Sequence, residues 1–319
     1  MANGLGGYRA ALGIGWILLG AAGLVYARAR GVPAWAVAPV LAAFLIEYAF
    51  YLAPGFEAVR NRLKGPRLPW LLACSAVIPY LVYALGTGQF EWMALAKLGG
   101  LALAVSFWYV VLPPVALADV GLLAVLAAAL LRKFFDPIYP EPFPRLDVDI
   151  LGQVALIHVS VMAFLMVRRM EGTGFGFLPS RAEWGIGFRN FLLFLPVGIP
   201  LALALGAFRF GNATPAWKVA ATFVGILWVV ALSEEFFFRG LLQQWMAKWT
   251  GSAPWALIAT SVLFGMAHLG FRQFPNWRFA LVAAVAGWFY GRAYQQARSI
   301  RAGMVTHALV VTTWRAFFV

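Results

Sequence analysis

Eleven apolar runs, most of them 16 to 20 residues long, follow one another along this chain, and they limit its fold more than any other feature. They are Ala10–Tyr26, Ala34–Leu52, Leu68–Leu85, Met93–Leu112, Val115–Leu131, Ile150–Val167, Phe191–Phe208, Ala216–Leu232 (continuing as helix to about Trp249), Pro254–Leu269, Phe279–Tyr294 and Met304–Val319. About 20 mostly apolar residues carry a helix across a bilayer, and slightly shorter ones suffice where the helix is tilted or partly interfacial. Within lipid every backbone amide needs an internal partner, so such runs fold as helices. The expected fold is therefore an all-α, polytopic transmembrane bundle of about 10–11 helices. A hydrophobic fraction of 63% with only 12% charged residues excludes a disordered chain and an ordinary soluble enzyme. The first run is longer than a signal-peptide core and many spans follow it, so it is expected to be retained.

The formal net charge of +13 would point to nucleic acid in a soluble protein. Here the basic residues gather in short gaps between apolar runs, as at Arg60, Arg62, Lys64 and Arg67, which is the pattern of cytoplasmic loops. The expected partner is the bilayer, with no nucleic acid. An amino terminus in the cytoplasm agrees weakly with the distribution of basic residues. Compact basic loops and alanine-rich helices point to a bacterial inner membrane. The single cysteine, Cys74, makes neither an internal disulfide nor a redox pair.

Two polar stretches interrupt the runs. Arg132–Asp149 carries four prolines and mixed charge, which precludes a spanning helix. It reads as a surface connector and as the domain boundary, with residues 1–149 as amino-terminal helices of unassigned role and 150–319 as a functional core. The second, Arg168–Arg189, contains Gly172, Gly174 and Gly176. No internal repeat is evident.

Charges inside spans are costly and mark candidate sites. The densest cluster is Ser233-Glu234-Glu235-Phe236-Phe237-Phe238-Arg239. Glu235 and Arg239 are four residues apart and share a helix face, so they can pair, while Glu234 points about 100° away. One glutamate is thus tied and the other is free for proton chemistry, although both could simply brace packing. His268 and His307 also lie on apolar helices. Glu234 lies 17 residues before the turn at Gly251 and His268 lies 17 after it. An antiparallel hairpin puts both about 25 Å from that turn, a carboxylate beside an imidazole. His307, only about 10 Å past a turn near Ser299, is expected to lie too shallow to join them without a tilt or a shorter crossing. Elsewhere, Glu47 is expected to snorkel or pair with a basic neighbour, Asp119 to pair with Lys97 across Pro113-Pro114, and His158 to be hydrogen-bonded within its bundle.

These residues resemble the motifs of the membrane-embedded CAAX-processing and bacteriocin-processing peptidases (the CPBP or Abi family), which include the type II CAAX prenyl endopeptidases. Glu234, Glu235 and Arg239 match EExxxR, Phe264 and His268 match FxxxH, and His307 matches the start of HxxxN or HxxxD, whose last position is Val311 here. The resemblance implies an intramembrane endopeptidase acting on peptides or membrane proteins. It makes Glu234 the general base, His268 its partner in holding a water, and His307 a donor to the oxyanion. Glu235, Arg239 and Phe264 support the site. The resemblance leaves open a metal-free glutamate mechanism, which is favoured, or a zinc ion held by Glu234, His268 and His307. Val311 removes one oxyanion donor, so an inactive scaffold or bacteriocin-immunity protein is the alternative, with Thr312 a candidate substitute donor. A transporter would require repeated half-structures, and none is evident.

Overall fold

The computed structural model describes residues 4–211 and 214–318 and is all-α, with no β-strand among them beyond one isolated bridge between Phe210 and Phe318. Each expected run lies on a helix; the run to 319 ends on a residue outside those described. Seven helices are long and apolar enough to cross a membrane, and two shorter apolar ones, Ala116–Leu131 and Ala253–Ala267, accompany them. The chain is thus a multi-pass membrane protein. The spanning-length set is smaller than the expected 10–11. Those two helices are short, and the last two, Trp277–Ala297 and Ile300–Phe317, carry arginines that lower their apolarity.

The chain divides into two compact units, residues 1–170 and 171–319. The first contains α1 (Leu5–Arg30), α2 (Ala34–Leu52), a short α3 (Glu57–Arg62), α4 (Leu68–Thr87), α5 (Trp92–Val111), α6 (Ala116–Leu131) and α7 (Ile150–Met162, prolonged by a π turn to Val167). The helix α7 packs on α2, α4 and α5, so it belongs with the amino-terminal unit and not with the residues after 170. The reason lies in the connector. Its prolines break the helix as expected, but Phe135, Ile138, Tyr139 and Val148 are buried. Phe135 and Tyr139 press against Gly152 on α7, and Tyr83 on α4 donates to the Pro140 carbonyl. Apolar side chains between the prolines thus fold the connector back onto its own unit.

The second unit contains α8 (Arg181–Ala204), α9 (Ala216–Thr250), α10 (Ala253–Ala267), α11 (Trp277–Ala297) and α12 (Ile300–Phe317). Ser180 caps α8 with a reciprocal bond to Glu183, satisfying two otherwise orphaned amides. Gly251, in the left-handed region at φ 66°, turns α9 into α10. The α11 helix packs against α8, α10 and α12. Phe194, Phe264, Phe279, Phe289 and Tyr290 form its aromatic core. Two wide π segments, Ile226–Val230 and Phe236–Gln243, interrupt α9 on either side of Glu234 and Glu235. Such segments recur at functional sites because they re-aim side chains within a helix.

Candidate active site

Glu235 is fully buried, and its Oε1 accepts from two partners. Arg239 Nη1 donates to it at 3.1 Å and His307 Nδ1 faces it at 3.0 Å. The Arg239 guanidinium also donates through Nη2 to the Gly287 carbonyl at 2.8 Å and lies 4.5 Å over the Phe264 ring. Glu235 and Arg239 thus pair as their spacing predicts, with a main-chain carbonyl and an aromatic face completing the shell. Two glycines make room for this. A Cβ at Gly287 would lie 3.1 Å from Arg239 Nη2, and one at Gly303 only 2.5 Å from Glu235 Oε2.

Glu234 is different. Its side chain keeps 31% of its exposure and lines a cavity of about 230 Å³. His268, His307, Phe264, Tyr290 and Val311 face the same cavity. His307 Nε2 lies 3.8 Å from Glu234 Oε2, so this imidazole stands between the two glutamates, one at each ring nitrogen. Tyr290 stacks on it at 4.4 Å with an interplanar angle of 11°, and Phe264 meets it edge-on at 5.8 Å. His268 ends α10, and its Nδ1 lies 2.7 Å from the Phe264 carbonyl. That bond requires the hydrogen on Nδ1, which leaves Nε2 of a neutral ring with a free lone pair.

All three expected site residues therefore face one cavity. The shallow placement expected for His307 does not occur, because the floor is raised. Ile300 lies against Gly240, so α12 begins well short of the end of α9 at Thr250. The glycine-rich stretch 171–178 fills the space beneath. Ile300 N donates to Thr173 O, Ser299 Oγ donates to Gly174 O, and Gly174 sits at φ 61° directly against the Ser299 backbone. The imidazole within 4 Å of the Glu234 carboxylate is that of His307, whereas His268 shares the cavity wall with it. Val311 faces the cavity as a residue one helical turn after His307 should, and it is apolar. Of the two following threonines, Thr313 lines the cavity, whereas Thr312 is buried with its hydroxyl unpartnered. Sequence reasoning missed Tyr290 and the two glycines. The only trace was glycine at 287 and 303 inside helices, where close approach is the usual reason.

Among the described residues no three His, Cys, Asp or Glu side chains are grouped as metal ligands. The expected Asp119–Lys97 pair also gives way: Asp119 binds Arg168 at 2.9 Å and accepts from Tyr109, while Lys97 is exposed. Of the two alternatives for Glu47 the second holds: it is buried and paired with His158, which is hydrogen-bonded within its bundle as expected.

Residues 215–313 match the family model described as Type II CAAX prenyl endopeptidase Rce1-like. This span holds every residue singled out from the EExxxR, FxxxH and third-histidine motifs, and for it the resemblance read from the sequence stands. No curated protein and no solved structure matches the chain.

Proposed function

We propose that the Rce1-like segment makes this chain an intramembrane endopeptidase that hydrolyses peptide bonds of membrane-associated substrates with a water activated by glutamate and histidine. The observation that carries the reading is the shared cavity of Glu234, His268 and His307, with Glu235 and Arg239 locked behind it. A water has two hydrogens, and the cavity offers two acceptors, the Glu234 carboxylate and His268 Nε2. Held between them, it attacks the carbonyl carbon as one proton passes to Glu234. The C–N bond then breaks, and Glu234 returns that proton to the leaving amine, so that one water yields one carboxylic acid and one amine. The Glu235–Arg239 pair fixes His307 through Nδ1. When both its nitrogens carry hydrogen, His307 Nε2–H can donate to the developing oxyanion. The bacterial inner membrane is the proposed location, and the residues before the matched segment act as its anchoring and access elements.

The test is cleavage of a lipid-anchored fluorogenic peptide by the full chain in nanodiscs. Glu234→Gln, His268→Ala and His307→Ala should each lower kcat about 10²-fold or more, the usual worth of a positioned acid–base group. Chelator treatment with metal analysis separates a metal-dependent route from this one. Val311 favours a second reading, an inactive scaffold on the same fold. That reading prevails if the wild type cleaves nothing and all three variants retain its cellular effect.

A further inference from the structure

A second chain of buried polar groups lies in the amino-terminal unit, outside the matched segment. Glu47 on α2, Ser75 on α4 and His158 on α7 are each at least nine-tenths buried. His158 Nδ1 lies 2.5 Å from Glu47 Oε1, and His158 Nε2 lies 2.8 Å from Ser75 Oγ. Ser75 Oγ is also 2.8 Å from the Leu72 carbonyl. We propose that Glu47, His158 and Ser75 form a proton-binding site.

The three groups can be occupied by hydrogens in two ways. With hydrogen on both ring nitrogens, Nδ1–H donates to Glu47, Nε2–H donates to Ser75 Oγ, and the serine hydroxyl donates to Leu72 O. With one proton fewer, Nε2 is bare and accepts the serine hydroxyl. Both arrangements satisfy the imidazole and the hydroxyl, and they differ by one proton and by a rotation about the Ser75 Cβ–Oγ bond. Charge inside a span is costly enough to mark ion and proton pathways.

Glu47 Oε2 is a buried acceptor without a partner. The remaining ionisable groups on the packed elements do not supply a competing cation. The α2 helix contributes Tyr51, and α4 contributes Tyr80 and Tyr83. On α5, Lys97 is exposed and Tyr109 is bonded to Asp119, while Asp149 at the foot of α7 accepts from Gln153. Phe50 stacks on the His158 ring at 5.8 Å.

The experiment is ¹⁵N NMR of the full chain in lipid nanodiscs with labelled histidine, His158→Gln providing the assignment. The His158 ring signals should pass between the two forms across the pH range in which the protein stays folded. Glu47→Gln, nearly isosteric, should move that midpoint down by about one unit or more, because the carboxylate that favours the charged ring is gone. A single His158 form across that range, or a midpoint indifferent to Glu47→Gln, overturns the site. None of these readouts depends on peptide cleavage, so the outcome is separate from that of the proposed function.

Discussion

His307 is hydrogen-bonded to Glu235 through Nδ1 and stacked on Tyr290, with Phe264 meeting it edge-on and Glu234 3.8 Å from Nε2. A ring so confined has little freedom to re-aim, and geometry of this kind is where catalytic rate is won or lost. Tyr290→Phe keeps the stacking face and should keep kcat within a few-fold, whereas Tyr290→Leu should lower it at least about tenfold with little change in KM. Equal losses in the two variants would show that the phenol, not the ring, matters. Val311 provides the complementary test. It lines the cavity where the motif carries an amide or acid, and an oxyanion donor is commonly worth about 10²–10³ in rate. Val311→Asn should therefore raise kcat by about 10²-fold, measured on the same lipid-anchored peptide. No gain would mean that another group already donates, with Thr313 in the cavity wall as the first to replace. The pairing of Glu235 with Arg239 was legible from a four-residue spacing. The role of Tyr290 was not, since a tyrosine among GWFYGRAY carries no positional signature until a partner helix lies over it.

The matched segment depends on how closely its helices approach. On α12, Gly303 leaves room for Glu235 Oε2, and on α11, Gly287 leaves room for Arg239 and Phe264. A methyl at Gly303 would meet the carboxylate at 2.5 Å and the Tyr290 carbonyl at 3.3 Å. Neither can move without breaking the Arg239 and His307 bonds. Gly303→Ala should cost about 1–3 kcal/mol through overpacking and abolish cleavage; thermal unfolding in detergent beside the cleavage assay checks both. Gly174 controls the element boundary below. Its positive φ and its contact with the Ser299 backbone leave no place for a side chain. In Gly174→Ala the turn before α12 should loosen, with faster proteolysis near Ser299 by mass spectrometry than in wild type. The helices themselves were readable from apolar length. The π segments flanking Glu234 were not, because one extra residue in a helical turn leaves no compositional trace.

At the scale of the molecule, the basic loop between α2 and α4 (Arg60, Arg62, Lys64, Arg67) should lie on the cytoplasmic side. Asn61→Cys in a Cys74→Ser background should react with an impermeant maleimide in inside-out vesicles and not in intact cells. The reverse pattern would invert the topology. The two units also carry separate polar centres, one at His158 and one at His307. His158→Gln should accordingly leave peptide cleavage within about twofold of wild type if the centres act independently.

By itself the sequence determined the membrane class, the helical fold, the Glu235–Arg239 pair and the common level of Glu234 and His268. Each of these follows from local spacing or from the cost of exposing backbone and charge to lipid, which a linear pattern records. Only the tertiary structure decided that α7 joins the amino-terminal unit and that His307 lies between two glutamates. It also decided that α12 starts high enough to put that histidine there. Those outcomes depend on which surfaces meet: aromatic residues between prolines that fold back on α7, and a glycine-rich stretch that fills the space under Ser299. Contacts between residues distant in sequence carry that information, and no local pattern does.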